Sequence, residues 1–359
     1  MTTTTDQPID QEKAEAFSEK VLGIFSGGCL SLMLSVGHQT GLFDKLAELP
    51  ASTSQEIAGA AGLQERYVRE WLGGMVTGGI VEYDAAARTY RLPPEHAGML
   101  TRAAGPNNFA FFTQYVGLMG LVEPKVVDAF RNGGGVPYSE YPNFQSLQRE
   151  ETSAVYDATL LNGTLPLVLG LVEGLQKGID VADVGCGAGY ALCLMAAAYP
   201  NSRFAGYDFS EEGVAFGRSE AAGKGLTNVT FEVMDISTLS GPPRFDLITA
   251  FDTIHDQAQP RRVLKGICEA LKPDGDFLCV DIAGSSNLEE NISNPMTPLF
   301  FTFSVFHCMT VSLAQHGEGL GTMWGEQKAR ELFAEAGFGR IETRQVEGDF
   351  MNNYYLVRK

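Results

Sequence analysis

The sequence predicts an α/β protein in two parts. A mostly helical N-terminal domain of winged-helix type precedes a doubly wound, seven-stranded sheet. Three observations predict it. From Ile179 onward, β-rich runs alternate with helical runs, which implies a largely parallel sheet with helices on both faces. Residues 53–92 carry a helix, turn, helix, hairpin pattern. A glycine-rich turn, Asp183 to Tyr190, joins the first strand of the alternating run to a helix. A length of 359 residues suits two domains.

In chain order, residues 11–50 hold long apolar stretches with helical spacing. Thr53 and Glu56 form a capping pair that starts a short helix through Ala60, and Gly62 turns the chain. A second helix over 65–77 places Val68, Trp71, Leu72 and Met75 on one face, and Gly78-Gly79 ends it. Ile80–Tyr83 and Thr89–Leu92 read as a hairpin. Residues 106–178 are mostly helical, broken by the Gly and Pro cluster at 132–137. Strands are expected at 179–184, 203–208, 229–234, 245–250 and 276–282, with helices at 189–199, 211–223 and 260–271. An insertion over 287–321 separates these from a helix at 326–336 and a final antiparallel pair at 339–346 and 353–358. The expected divisions are therefore 1–105, 106–178 and 179–359.

Charge narrows the partners. Lys and Arg number 26 against 44 Asp and Glu, a net of −18. Nucleic-acid affinity draws on cation–phosphate contacts, so DNA and RNA are not expected, nor are anionic membrane surfaces. Between Thr40 and Leu100, eight acidic residues outweigh five basic ones, which argues against a DNA-reading helix there. The first fifteen residues are polar and lack a signal peptide's apolar run, and no uninterrupted apolar run reaches spanning length. A cytoplasmic location is expected. The six cysteines are scattered without CxxC spacing, so neither a metal site nor a disulfide framework is expected.

The segment DVGCGAG at 183–189 carries the chemistry. Gly185, Gly187 and Gly189 allow a tight turn and close approach of a ligand to the backbone. A dinucleotide loop would need glycine where Tyr190 stands, and no lysine follows as in a phosphate-binding P-loop. Asp183 is unfavourable beside a pyrophosphate but suits a cationic ligand. Asp208 ends the next strand and can accept from two ribose hydroxyls. Asp235 can accept from an adenine amine, with Ile236 against the ring, and Phe209 and Phe251 border the same strand ends. A nucleoside with a cationic tail and no phosphates is S-adenosylmethionine.

With YDFS at 207–210, VMDIS at 233–237 and LKPDGDFLCVDI at 271–282, the segment 179–282 resembles a class I S-adenosylmethionine-dependent methyltransferase. The resemblance implies a Rossmann-like sheet and that cofactor. Together with the winged helix it extends to the small-molecule O-methyltransferases of plants and bacterial secondary metabolism, and implies a homodimer. In that group a His-Asp pair after the fourth strand supplies the general base, which here places His255 in that role. Asp281 matches the acidic position that steadies it. A second acidic partner would fall near Met323-Trp324, which carry no carboxylate, and Gln257 stands where an aromatic residue is common. A neutral imidazole can take the proton of an alcohol or phenol as its oxygen attacks the methyl carbon. His307 and His316 lie in the insertion as further histidines, and Asp252 and Asp256 are candidates for orienting substrate or capping the 260–271 helix. Phe112 and Tyr115 from the linking helices, with Phe301, Phe306 and Met309 from the insertion, are expected to wall an apolar, aromatic acceptor's pocket. Gly317, Gly319 and Gly321 are expected to hinge that covering segment. The alternatives are methylation at nitrogen or carbon, and a DNA-binding regulator that senses the cofactor.

Overall fold

The computed structural model describes residues 9–346, 349 and 351–359, so the start of the Thr-rich N-terminus lies outside the described residues. The chain divides into two units, Met1–Gly120 and Leu121–Lys359.

The first unit opens with α1 (Gln11–Gln39), α2 (Leu42–Glu48), α3 (Ser54–Ala61) and α4 (Glu65–Thr77). Thr53 and Glu56 form the expected capping box, and Gly62 closes α3 in the left-handed region at φ 68°. The four apolar residues predicted for one face of α4 are buried around Leu42, Phe43 and Ile57. Trp71 fixes α4 to α1, its Nε1 donating to Met33 O at 2.8 Å. Strands β1 (Glu82–Asp84) and β2 (Thr89–Arg91) make the antiparallel wing. Helices α5 (Pro94–Leu100) and α6 (Phe109–Phe112) follow, and α7 (Gln114–Asn132) carries the chain into the second unit.

In the second unit, α8 (Phe144–Thr159) and α9 (Leu171–Lys177) lead into β3 (Asp180–Val184). Then come α10 (Tyr190–Ala198), β4 (Arg203–Asp208), α11 (Glu211–Gly223) and β5 (Val229–Val233). The central run ends with β6 (Phe245–Phe251), α12 (Pro260–Ala270) and β7 (Leu271–Ile282). The insertion consists of α13 (Leu288–Asn291), α14 (Thr297–Phe303), a π-turn at Ser304–Cys308 and α15 (Met309–Ala314). Helix α16 (Gly325–Ala336) and strands β8 (Arg340–Arg344) and β9 (Asn352–Arg358) complete the unit.

The seven strands order as β5-β4-β3-β6-β7-β9-β8. Strands β3 to β7 pair in parallel, and β9 runs antiparallel to both β7 and β8, as expected. Strand β7 starts earlier than predicted because Leu271 already pairs with Phe245, before a register shift brings Asp276 opposite Leu247. One apolar core, including Ile248, Val263, Phe277 and Phe333, lies on one face of the sheet. A second, including Val181, Leu192, Phe231 and Leu278, lies on the other. The order reverses between β3 and β6, which makes the carboxyl ends of the central strands the switch point at which α/β folds bind ligands.

Two helical runs, Gln11–Gln39 and Thr297–Ala314, are long and apolar enough by length and composition to cross a membrane. This corrects the expectation that no run reaches that length, which rested on uninterrupted apolar sequence. Gly27, Gly28 and Ser31 interrupt the first run, and Ser304 and His307 the second, without ending helix. In the second run, Thr310 Oγ1 accepts from Val136 N at 2.9 Å and Ser312 Oγ donates to Gln257 O at 2.9 Å.

Candidate active site

The glycine turn follows β3 with Gly185, Gly187 and Gly189 at φ 69°, 51° and 70°. Any other residue would be strained there by about 1–2 kcal/mol. The three differ in what surrounds them. A Cβ on Gly185 would collide with Thr253 and one on Gly189 with the Phe231 ring, whereas one on Gly187 would meet nothing closer than Gln145 Oε1 at 3.9 Å. Gly187 therefore keeps an open cradle beside the strand ends, the space a close-lying ligand needs.

Two buried carboxylates face this turn. Thr249 Oγ1, on the neighbouring strand β6, donates to Asp183 Oδ1 at 2.7 Å. Burial pushes the Asp183 carboxyl up to about 7, against the Thr249 hydrogen bond that favours the anion. Asp208 accepts from Gly187 N at Oδ2 and from Ser210 N at Oδ1, both at 2.8 Å. Burial nevertheless raises it above the usual carboxylate range. Acids held reluctantly ionised, with no basic partner among these bonds, are what a cationic ligand stabilises. The donor set therefore fits S-adenosylmethionine.

The other predicted cofactor residues are spread along this edge. Asp235 is exposed and accepts from Ser237 N at 2.9 Å. Ile236 is buried within the core rather than lining open space. Phe209 is exposed, with its ring 5.1 Å from Tyr138, and Phe251 lies 5.3 Å from the Tyr156 ring. Helix α8, which falls in the segment expected to be a helical linker and pocket wall, lies over the same edge. Gln145 approaches Gly187, Arg149 pairs with Glu220 of α11, and Tyr190 Oη donates to Asp157 Oδ1 at 2.8 Å. No local motif marks that helix, because its partners lie 33 to 71 residues away.

The loop after β6 brings His255 to Asp281 at the end of β7. His255 Nδ1 and Asp281 Oδ1 are 2.7 Å apart, and both side chains are buried. Parallel pairing creates the contact: Phe251 stands opposite Val280, and Asp252 N donates to Val280 O at 2.9 Å. Asp252 turns the chain away at φ 49°, a left-handed conformation that Asp tolerates better than most residues. Burial alone would hold the His255 imidazolium down. The Asp281 carboxylate, aided by Cys308, overrides it and raises the ring well above its ordinary value.

The segment expected to lack a second acid supplies a donor instead. Trp324 Nε1 donates to Asp281 Oδ1 at 3.1 Å, and Ile282 N donates to the same oxygen at 2.9 Å. Gly321 N donates to His255 O at 3.0 Å, and a Cβ on Gly317 would lie 2.5 Å from Ala258 Cα. These two glycines serve close approach to the His255 turn, where sequence reasoning expected a hinge.

Asp256 caps nothing on α12. Tyr138 Oη donates to its carboxylate, and burial raises it to about 6. Of the other histidines, His316 is exposed in a turn. His307 is buried, its ring stacked 4.3 Å from Phe144. The predicted pocket residues fall differently from expectation. Phe112 and Tyr115 belong to the first unit, each beside Phe111, at 5.4 and 6.3 Å. Phe301 is exposed on α14, and the Met309 Cβ packs on Gly321. Phe306 lines a hollow of about 290 Å³ with Val126, Val127, Phe130 and Val305, and neither His255 nor Asp281 lines it. Within the insertion, the extra residue at Ser304–Cys308 rotates the helix by about 100° relative to a 3.6-residue period, and His307 is buried there.

Two predictions test the cofactor edge. Gly189→Ala should lower thermal stability more than Gly187→Ala, because it adds a clash with the core ring of Phe231 to the backbone strain that both variants share, whereas Gly187→Ala should fold and lose S-adenosylmethionine affinity in calorimetry. Equal affinity in Gly187→Ala would contradict the cradle. Asp183 has a folded pKa above its unfolded value, so its stabilising contribution is complete below about 4 and lost as pH rises through about 7. The cofactor-free protein should therefore lose stability over that window by more than Asp183→Asn does, read as melting temperature against pH.

Residues 28–102 match the Rv2258c-like winged HTH domain, and residues 175–337 match a methyltransferase domain family. A demethylmenaquinone methyltransferase of Listeria welshimeri is 28% identical over 192 residues, which cover 52% of this chain and 80% of that protein. The fold is similar to human N-acetylserotonin methyltransferase, solved with S-adenosylmethionine, at a TM-score of 0.69 and 20% identity, covering 100% of this chain and 99% of the other. It is also similar to a putative O-methyltransferase of Nostoc punctiforme, at 0.71 and 16% identity, covering 98% and 100%. The winged-helix match, the methyltransferase match and the glycine-and-acid strand edge agree: the chain carries a winged-helix domain over residues 28–102 and an S-adenosylmethionine-dependent methyltransferase domain over residues 175–337.

Proposed function

We propose that the enzyme methylates a hydroxyl oxygen of an apolar, aromatic small molecule, with His255 as general base and Asp281 as its orienting partner. The observation that carries this reading is the 2.7 Å contact between two buried side chains at the sheet's ligand edge. Asp281 Oδ1 accepts a hydrogen bond from His255 Nδ1–H, and in the neutral ring, formed as pH rises through its raised value, Nε2 is the basic atom. Bound S-adenosylmethionine supplies a methyl group on a cationic sulfur and leaves as a neutral thioether. The acceptor's hydroxyl proton passes to His255 Nε2 as its oxygen takes the methyl group. Proton removal of this kind contributes about 10²–10⁴-fold, and alignment supplies much of the rest. Asp183, Asp208 and Gly187 hold the cofactor in this reading, with Asp235, Phe209 and Phe251 along its nucleoside.

The same reading has no nucleic-acid partner. On α4 the arginines face acids, Arg66 with Glu70 and Arg69 with Glu65, which leaves little basic surface for phosphate. It places the enzyme in the cytoplasm, where six free thiols are in keeping with a reducing compartment, and without a membrane partner. It also makes the enzyme a homodimer. Phe17, Val21, Leu22, Ile24 and Phe25 are exposed on α1, an apolar surface that a second copy would cover.

Two variants test the base. His255→Ala should keep S-adenosylmethionine affinity in calorimetry while labelled methyl transfer to a panel of phenols falls by about 10²–10⁴-fold. Unchanged turnover would remove His255 from the proton step. Trp324→Phe keeps the ring but deletes a donor to Asp281, leaving that carboxylate more negative. The rising limb of kcat/KM against pH should move to higher pH, and an unmoved limb would separate Trp324 from the dyad.

A further inference from the structure

The buried ring cluster beside the dyad has a use that the proposed reaction does not account for. His307 is 8% exposed, and its Nε2 is buried without a hydrogen-bond partner. Leaving such an atom unpaired costs about 1–3 kcal/mol, and native proteins keep few of them. Three rings enclose it: Phe144 at 4.3 Å and nearly parallel, Tyr141 at 4.9 Å and Tyr138 at 5.2 Å, the last two edge-on. Both tyrosine hydroxyls are committed elsewhere. Tyr141 Oη donates to Phe306 O at 2.6 Å, and Tyr138 Oη donates to Asp256.

Tyr138 also locates the cluster. One side of its ring meets Phe209, next to the cofactor carboxylate Asp208. Its hydroxyl reaches Asp256, next to His255. His307 therefore stands one ring away from both ends of the transfer site. Burial, with the nearby His255 charge adding to it, lowers the His307 ring to about 3, so it is neutral at working pH. A neutral imidazole has one donor and one acceptor nitrogen, which suit a hydroxyl or carbonyl oxygen better than a carboxylate.

We propose that His307 is a specificity residue: it hydrogen-bonds a second oxygen on the methyl acceptor, so that the preferred acceptors are aromatic rings bearing two oxygens. One is methylated at His255, and the other is read by His307. The inference rests on the O-methylation reading, but its test does not require turnover.

Isomeric naphthalenediols, with 1-naphthol and 2-naphthol as single-oxygen controls, are titrated into protein saturated with S-adenosylhomocysteine. Calorimetry should find at least one diol binding about tenfold more tightly than either naphthol, as one neutral hydrogen bond allows. His307→Phe keeps a ring against Phe144 and should abolish that preference without changing S-adenosylhomocysteine affinity. His307→Gln should restore part of it. In the wild type, the ¹⁵N signals of the His307 ring should shift with the preferred diol and not with the naphthols, a readout that needs no variant. Absence of any diol preference, the same preference in His307→Phe, or an unmoved ¹⁵N signal overturns the inference. Discrimination in binding without methyl transfer to oxygen would overturn the O-methylation reading and leave only the recognition of an acceptor oxygen by His307 standing.

Discussion

The contact between His255 and Asp281 is the constraint on which the site depends. It exists because β6 and β7 run parallel in a fixed register, so that the loop leaving β6 returns its imidazole to the carboxylate at the end of β7. A buried histidine next to no acid would be neutral, and a buried aspartate next to no donor would be protonated. Here the Asp281 carboxylate holds the His255 imidazolium against burial, which acts the other way. Trp324 Nε1 and Ile282 N add donors to Asp281 Oδ1, so the carboxylate is held by three groups at one oxygen. Trp324 also packs on Phe333, which ties the dyad to the core of the sheet.

The cofactor edge follows a complementary logic. Asp183 and Asp208 are buried acids whose bonds come from a hydroxyl and backbone amides rather than from lysine or arginine. Such a pair is poorly satisfied alone and well satisfied by positive charge. Gly187 keeps the backbone open beside them. The edge therefore suits a positively charged ligand better than a phosphorylated one, and it lies at the carboxyl ends of the central strands, where the loop bearing His255 also begins.

Much of this was legible in the sequence. The strand limits from Arg203 to Asp208, the α11 limits and the buried face of α4 follow from short-range periodicity and capping. The acids at strand ends and the three glycines follow from residue type at fixed offsets. Three features were not legible. Trp324 acts as a donor across 43 residues, and a missing carboxylate gives no hint of an indole in its place. Helix α8 meets the glycine edge through contacts that no local pattern encodes. His307 is buried on a π-turn, whose helical phase no sequence period reports, while Phe301 is exposed and Phe306 lines a hollow apart from the dyad. Sequence period reports the face of a regular helix, and it fails where the helix is irregular.

The central claim is that Asp281 sets the protonation of His255. Titration of the His255 ring by ¹⁵N NMR, in the wild type and in Asp281→Asn, tests it most directly. The account predicts a wild-type value above the ordinary imidazole range, with the proton resident on Nδ1 in the neutral ring. In Asp281→Asn, burial is left unopposed and the value should fall below that range. The same value in both proteins would contradict the account.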